Sequence, residues 1–599
     1  MMALKECLGK LTQSISPRAL FPTVPTIRVE ADINECLHCH NKLKVKKTDQ
    51  RMVSRLEIGT FHAHITVLHC EHCGLDYVSD SLDNLVPNHC NYGYDVLVAV
   101  GRGLFVDYKN ERQLQCELAS QNIQISLREI GYLGKKFICY LSLAHQQSQT
   151  QLKQWLHSQG GYILHLDGTC EGDSPHLMSA LDGIKEIVLS NIKLPSENSD
   201  QIIPFLKKIK KTYGNPIALV HDMGKGILLA VSEVFPGVKD FICHYHFLRD
   251  IGKDLFEGDH ILIKNYIKKH HIRTALRMLA KKLKARIYCD HELRRILTDC
   301  EKKKKGSSTL PPAITAYLFV LWILDFKTEL GGYGFPFDRP HLVFFKRLLS
   351  VDASLKSLSS SHKNAEEILK LKQILSVAMK DQTLTRVALL MAEKTEIFDE
   401  LRAAMRIALP GDKQGLNDDG NDIDMSSIKK KVVAFRQSEK IQALSKNHVC
   451  YKKMVKQIDV YWEKLFSDPI KVKTPMGTIL IQPQRTNNLL ERLFRGLKRG
   501  LRRRGGTCSL TKTLRALIAD TPLVKNLNKP EYLKIILKGT KNLEERFVQI
   551  DAQLVRKEMK SSDDKIDRVP TSINNILRMP KFLAKFEKTP RKSHFSRAA

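Results

Sequence analysis

Two sets of residues in this chain have types and spacings that could do chemistry. The first is a cysteine quartet, Cys36-x-x-Cys39 and Cys70-x-x-Cys73, with 30 residues between the pairs. A C-x-x-C segment can bend as a knuckle that offers two thiolates to one ion. Two knuckles joined by a hairpin give a tetrahedral S4 zinc site, a zinc ribbon with one structural Zn²⁺. Gly74, directly after the second pair, frees the backbone for such a turn. The interleaved His38, His40, His69 and His72 could replace a ligand, and four coincidental buried cysteines are the plain alternative. The other ten of the 14 cysteines are scattered singly, the distribution of reduced thiols and not of a disulfide scaffold.

The second set is acidic. Tyr162 to Leu166 (YILHL) reads as a short apolar strand ending at Asp167, and Pro216 to His221 (PIALVH) as another ending at Asp222. Two parallel strands of one sheet that each end in Asp place carboxylates at the sheet edge where ligands bind in α/β folds. Hard divalent cations take oxygen ligands. Two of them about 4 Å apart can clamp the attacking and leaving oxygens of a phosphodiester. A third carboxylate is wanted from a helix packed on that sheet. Glu491 is the candidate, the one acid among seven basic residues between Glu491 and Gly506. It is either a partner for Arg495 one turn on or a metal ligand on a helix that also holds DNA backbone through Arg492, Arg495, Lys498, Arg499, Arg502, Arg503 and Arg504. Glu171, Asp173 and Asp182 are nearby acids that read as surface residues, and His221 faces the other side of its strand as a core residue.

Elements to position these groups are legible around them. Arg51 to Gly59 and Phe61 to Leu68 alternate as strands about a Gly-Thr turn, between the two cysteine pairs. Glu111 to Ser120 reads as a short amphipathic helix. Ser126, with Glu129 three residues on, forms a capping box for a helix from Leu127 to His145. That pair fits a helix-turn-helix whose second helix enters a major groove, with Arg128, Lys135 and Lys136 on DNA; a helical hairpin packed on the zinc ribbon is the alternative. Residues 161–250 alternate strand and helix patterns, and residues 255–470 carry helical periodicity. Pro410 to Ser427 reads as an acidic surface loop, and Thr478 to Gln482 as a short strand.

Charge points to the partner. The chain has 599 residues, with 96 Lys+Arg against 64 Asp+Glu, a formal net charge of +32. That excess indicates a large polyanion, and nucleic acid is the commonest. The run Lys302 to Lys305 and the basic segment Pro580 to Ala599 add to it. The longest apolar run, Ala316 to Leu324, has nine residues, where a membrane helix needs about 20. No secretory h-region opens the sequence, so a cytoplasmic, nucleoid-associated protein is expected.

The stretch HDMGKGILLAVSEVFPGVKDFICHYH (His221 to His246) resembles the region around the second aspartate of DDE-type transposases of the Mutator-like kind. There an Asp opens a helix, a Phe-Pro follows, and a C-x-x-H ends the next strand, here Cys243-x-x-His246. YILHLDGT is similar to their first-aspartate strand, and NNLLERLFRGLKR resembles the glutamate helix of bacterial insertion-sequence transposases. The resemblance implies an α/β RNase H-like catalytic core with a large all-α insertion, preceded by a zinc ribbon and a helix-turn-helix. The boundaries it suggests are 33–92 for the ribbon, 93–150 for the helix-turn-helix, 160–254 and 471–550 for the two parts of the core, 255–470 for the insertion and 551–599 for a basic tail. It implies Asp167, Asp222 and Glu491 as ligands of two Mg²⁺ or Mn²⁺ ions, and Cys243 and His246 in a structural role near the site. The expected partners are double-stranded DNA at element ends and target, with homo-oligomers forming on DNA and no membrane. The expected reaction is cleavage at element ends and strand transfer by the freed 3′-OH. A DNA-binding regulator that has lost catalysis, or a nuclease without strand transfer, is the alternative.

Overall fold

The computed structural model describes residues 16–87, 90–301, 310–409 and 425–563, together with Ile573 and Met579. The Lys302 to Lys305 run, most of the acidic loop and the basic Pro580 to Ala599 segment lie outside the described residues. The chain forms two compact units, one from the residues up to Asp240 together with those from Pro469 onward, the other from Phe241 to Asp468.

The first unit opens with a small sheet of β1 (Thr26–Val29), β2 (Lys44–Arg55), β3 (Gly59–His69) and β4 (Asp76–Tyr77). β3 is central, parallel to β1 and antiparallel to β2 and β4. β2 begins seven residues before the alternation suggests, and the turn lies at Leu56–Ile58, ahead of Gly59. The reason is that Lys44 to Gln50 are exposed throughout, so this half of the strand has no buried face to impose a period of two. Val29, Val53, Phe61, Ala63, Leu82 and Val86 form the module's own small core.

Three helices follow: α1 (Tyr94–Phe105), α2 (Glu111–Ala119) and α3 (Leu127–Gln147). Asn110 and Gln113 cap α2 reciprocally. Ser126 accepts from the Glu129 backbone N–H at 3.1 Å to start α3. Every residue of α3 from Lys136 to His145 is buried. Only its first two turns are available to a partner. At its inner end His145 hydrogen-bonds Tyr532 (2.9 Å), Tyr213 (3.0 Å) and the Leu189 carbonyl (2.9 Å). From Lys136 to His145 this helix is a core element of the unit.

After a further helix, α4 (Gln149–Ser158), the chain builds a five-stranded mixed sheet from β5 (Ile163–Thr169), β6 (His176–Asp182), β7 (Ile187–Leu194), β8 (Ala218–His221) and β9 (Asp240–Ile242). α5 (Ser199–Tyr213) joins β7 to β8, and α6 (Lys225–Val234) follows β8. The order is β7-β6-β5-β8-β9. β5, β6 and β7 are antiparallel neighbours, while β5 and β8 run parallel with Leu166 opposite His221. β5 is buried from Ile163 to Asp167, and its apolar residues run on without alternation, as a strand covered on both faces requires.

The returning chain forms a hairpin of β10 (Ile470–Thr474) and β11 (Gly477–Ile481), then the long helix α7 (Asn488–Gly505). α7 buries Leu489, Leu490, Phe494, Leu497 and Leu501 on one stripe and turns most of its arginines outward, Arg504 excepted. Gly506, with φ of 60°, ends it. A 3₁₀ segment, Thr521–Asn528, docks on β7 through Asn526, whose side chain bonds both the Val188 N–H and carbonyl at 2.8 Å.

The second unit is helical. Its longest members are His244–Lys269 and Gln382–Met405, and the apolar run becomes the helix Pro312–Leu324. Among the described residues, no helix is long and apolar enough to cross a membrane.

Candidate active site and metal centre

The two cysteine knuckles are built alike. His40 N–H donates to the Cys36 carbonyl at 2.9 Å, and Gly74 N–H donates to the Cys70 carbonyl at 2.8 Å. The closing residue has a left-handed backbone in both, φ 58° at His40 and 68° at Gly74. The sequence marks the need for glycine only at the second. The ligand atoms of Cys36, Cys39, Cys70 and Cys73 all lie within 4.8 Å of one another. The Tyr77 hydroxyl, 3.1 Å from Cys36 Sγ, lowers that thiol to about 6. Hydrogen bonding with its three neighbours, Cys39 first, pushes Cys73 up to about 12. Four crowded thiols thus share their protons unequally, a strain that a cation would relieve by taking all four as thiolates. His38 and His72 flank Cys73 at 3.5 and 3.9 Å, and His69 is engaged with Asp76. The four-donor group contains no histidine.

The acidic residues come together from three distant segments. Asp167 lies within β5, which runs on to Thr169 and so does not end at the aspartate as its sequence suggests. Asp222 directly follows β8, on the strand next to it. Its Oδ1 accepts from Gly224 N–H at 3.0 Å and turns the chain toward α6. Glu491 stands in the first turn of α7. The helix is pinned to β5 by the buried Asn487, which donates to the Leu166 carbonyl at 2.7 Å and meets His165 Nδ1 at 2.9 Å. Burial first, then the charges of Asp222, Glu491 and Glu197, hold the Asp167 carboxyl well above the usual carboxylate range. The charges of Asp222 and Glu491 thus both reach the Asp167 carboxyl. Among the described residues only the cysteine quartet gathers its donors within 4.8 Å; the acids form a looser group.

Glu197 is the residue that sequence reasoning missed. It lies in the loop between β7 and α5, where no spacing marks it, and only the fold sets it against Asp167. Its Oε1 is 2.9 Å from His176 Nδ1. The other acids have structural duties. Glu171 bonds Arg502 (2.6 Å) and the Leu510 N–H (2.7 Å), and Asp173 pairs with Arg515 at 3.0 Å. Asp182 is fully buried, not a surface residue, and accepts from the N–H groups of Ile163, Ile184 and Lys185. His221 is buried, 3.4 Å from Asp240.

The basic residues of α7 divide by face. Arg502 is bound to Glu171 and to the Cys508 carbonyl. Arg504 lies over the Phe105 ring with its Nε 3.8 Å from Glu111. Lys498 donates to the Cys170 carbonyl at 3.2 Å, and Arg492 lies 3.8 Å from Glu186. Arg495, Arg499 and Arg503 form an exposed stripe at helical spacing. On α3, Arg128 is exposed and Lys135 half-buried, but Lys136 is buried with its ammonium against Cys90. In the second unit, Cys243 is buried at the N-cap of the helix His244–Lys269. His246, near the start of that helix, is kept neutral, its pKa lowered to about 3 by burial and by the charges of Arg249 and Lys253.

Comparison with protein-family models and with curated proteins finds no match for this chain.

Proposed function

We propose that this chain is a DDE-type transposase with an RNase H-like core, which binds the ends of its mobile element and catalyses metal-dependent DNA strand cleavage and strand transfer. The observation that carries this reading is the meeting of Asp167, Asp222 and Glu491. They arrive from the first strand of a mixed sheet, from the end of its parallel neighbour and from a cationic helix packed on that first strand. An RNase H-like core places its acids in that way.

The donor set is all oxygen, and the mutual repulsion at Asp167 favours a cation. Asp167, Asp222 and Glu491 would hold two Mg²⁺ or Mn²⁺ ions. When bound, such ions supply charge stabilisation at the attacking and leaving oxygens of a phosphodiester. The chain's own contribution is positioning. Asn487 fixes the Glu491 turn on β5, and the Asp222 to Gly224 hydrogen bond fixes the second carboxylate. Arg495, Arg499 and Arg503 face outward to hold a DNA backbone. The cysteine quartet has the donor set of a structural zinc, which would order the small N-terminal sheet.

The test is incubation of the purified protein with DNA flanking its own gene plus Mg²⁺. Cuts at inverted repeats, and joining of the freed 3′-OH to target DNA, support the proposal. Metal-dependent cuts without joining would make the chain a nuclease, and binding without cuts a regulator.

A further inference from the structure

In the first unit a cavity of about 550 Å³ opens between the N-terminal half of α3 and the segment Lys512 to Thr521 that follows α7. None of the three carboxylates lines it. Four cations do, Arg128, Lys135, Arg504 and Lys512, against one acid, Glu111. That acid stands 3.8 Å from Arg504 Nε. The wall holds no second acid for Arg128 and Lys512, which are both exposed. Arg504 is fixed by the Phe105 ring, 5.4 Å from its centre. Among the described residues, its buried Nη1 meets no hydrogen-bond acceptor. The guanidinium thus carries one donor more than the protein uses, and a buried donor of that kind calls for an acceptor from elsewhere. The rest of the wall is apolar. Leu104, Phe105, Ile138 and Leu517 are buried beneath the cavity, and Tyr132 beside them is 46% exposed. Arg128, Gly131, Tyr132 and Lys135 share one face of α3, being three and four residues apart. At Gly131 a Cβ would meet nothing within 4 Å, so the cavity passes over bare helix backbone.

Cations from two sides of a cavity suit an anion with several oxygens. An apolar floor beside an exposed aromatic ring suits a flat organic body. The volume lies in the range of small-ligand sites, roughly 300–1,000 Å³. A nucleotide joins these two parts in one molecule. We propose that this cavity is a nucleotide-binding pocket, taking a phosphate among Arg128, Lys135 and Lys512 and a base against Tyr132. Two sources share this chemistry, a free nucleotide and an unpaired nucleotide of a DNA strand. The second rests on the reading of the chain as a DNA-binding protein, and the first does not. For the strand speaks the neighbourhood of Arg504: Arg503, the next residue on α7, belongs to the exposed stripe with Arg495 and Arg499. A backbone held on that stripe passes close to the pocket.

The test uses the purified full-length chain without added divalent metal, so that no cleavage intervenes. In one arm, radiolabelled deoxyadenosine monophosphate is titrated by equilibrium dialysis. In the other, a duplex with one unpaired adenine nucleotide is compared with the same duplex fully paired. Gly131→Met fills the cavity without removing a polar group, and methionine suits a helix. With the strand as source, the wild type should bind the bulged duplex on the order of tenfold more tightly than the paired one. Gly131→Met should erase that preference, with paired-duplex affinity and melting temperature unchanged, and Lys512→Gln should reduce it. With the free nucleotide as source, one monophosphate should bind per chain and be lost in Gly131→Met, even if the chain binds no DNA at all. A wild type that shows neither the preference nor monophosphate binding would overturn the pocket. If it still bound paired duplex, the DNA-binding reading would stand without it. A preference or monophosphate binding that survives Gly131→Met would overturn the assignment to this cavity.

Discussion

The cysteine quartet and the carboxylate group are both sets of potential metal donors in the first unit, but they are assembled in opposite ways. The four thiols come from one hairpin module within residues 36–73, and its turns place them within 4.8 Å of one another. The carboxylates come from residues 167, 222 and 491, and they are held by the sheet and by α7. A local module can specify its site by spacing alone but has little core with which to stay folded. A site assembled by the fold can use the whole unit's stability to keep like charges together. On the proposed reading, the first should depend on a metal for structure and the second on metal ions for reaction.

The sharpest way to break this contrast is to neutralise an acid. Asp167→Asn, Asp222→Asn and Glu491→Gln should each lower strand cleavage by roughly 10³-fold or more, measured on end-containing DNA, while thermal stability holds or rises slightly because a repulsive charge is gone. Strong unfolding in all three would mean that the acids are structural. The converse holds for the quartet. Cys70→Ser, or a strong chelator, should release one zinc per chain and expose residues 33–87 to limited proteolysis, since structural zinc sites couple about 10 kcal/mol or more of binding to folding. The large sheet should stay protected. Zinc content unchanged by Cys70→Ser would sink the site.

A smaller effect tests how the assembled site is held. Asn487→Ala removes the bonds to His165 and to the Leu166 carbonyl. It should cost about 2–3 kcal/mol in denaturant unfolding, because a buried carbonyl is left unsatisfied, and it should lower cleavage without touching an acid. His165, in the same bond, gives a pH signature. Burial lowers it to about 4 from an ordinary 6.5. The folded state thus refuses a proton that the unfolded state accepts. Stability from this residue is complete above pH 6.5 and declines as the pH falls toward 4, by up to about 3 kcal/mol. Urea titrations across that window should show the slope, and His165→Gln should flatten it.

The smallest effect is on DNA affinity. Each of Arg495→Ala, Arg499→Ala and Arg503→Ala should shallow the salt dependence of DNA binding by about one unit, on every sequence alike. Arg502→Ala and Arg504→Ala should act instead through stability, since their guanidinium groups are engaged within the unit.

Much of the local chemistry can be read without the fold. Paired C-x-x-C spacing, the Ser126 cap, the amphipathic Asn488–Gly505 helix and two short apolar strands followed by Asp all rest on near neighbours, where turn geometry and helical period act directly. Tertiary structure alone decided the rest. It made Lys136 a buried residue and α3 a core helix, because α3 packs against chain segments from beyond residue 500. It divided the arginines of α7 into bound and exposed, by placing Glu171 and Phe105 beneath two of them. Most of all, it brought Glu197 against His176 and its charge to Asp167. Each of these residues is unremarkable in its own segment. Charges and hydrogen-bonding groups act over a few ångströms of space, and a linear sequence records no such distances between segments that meet only on folding.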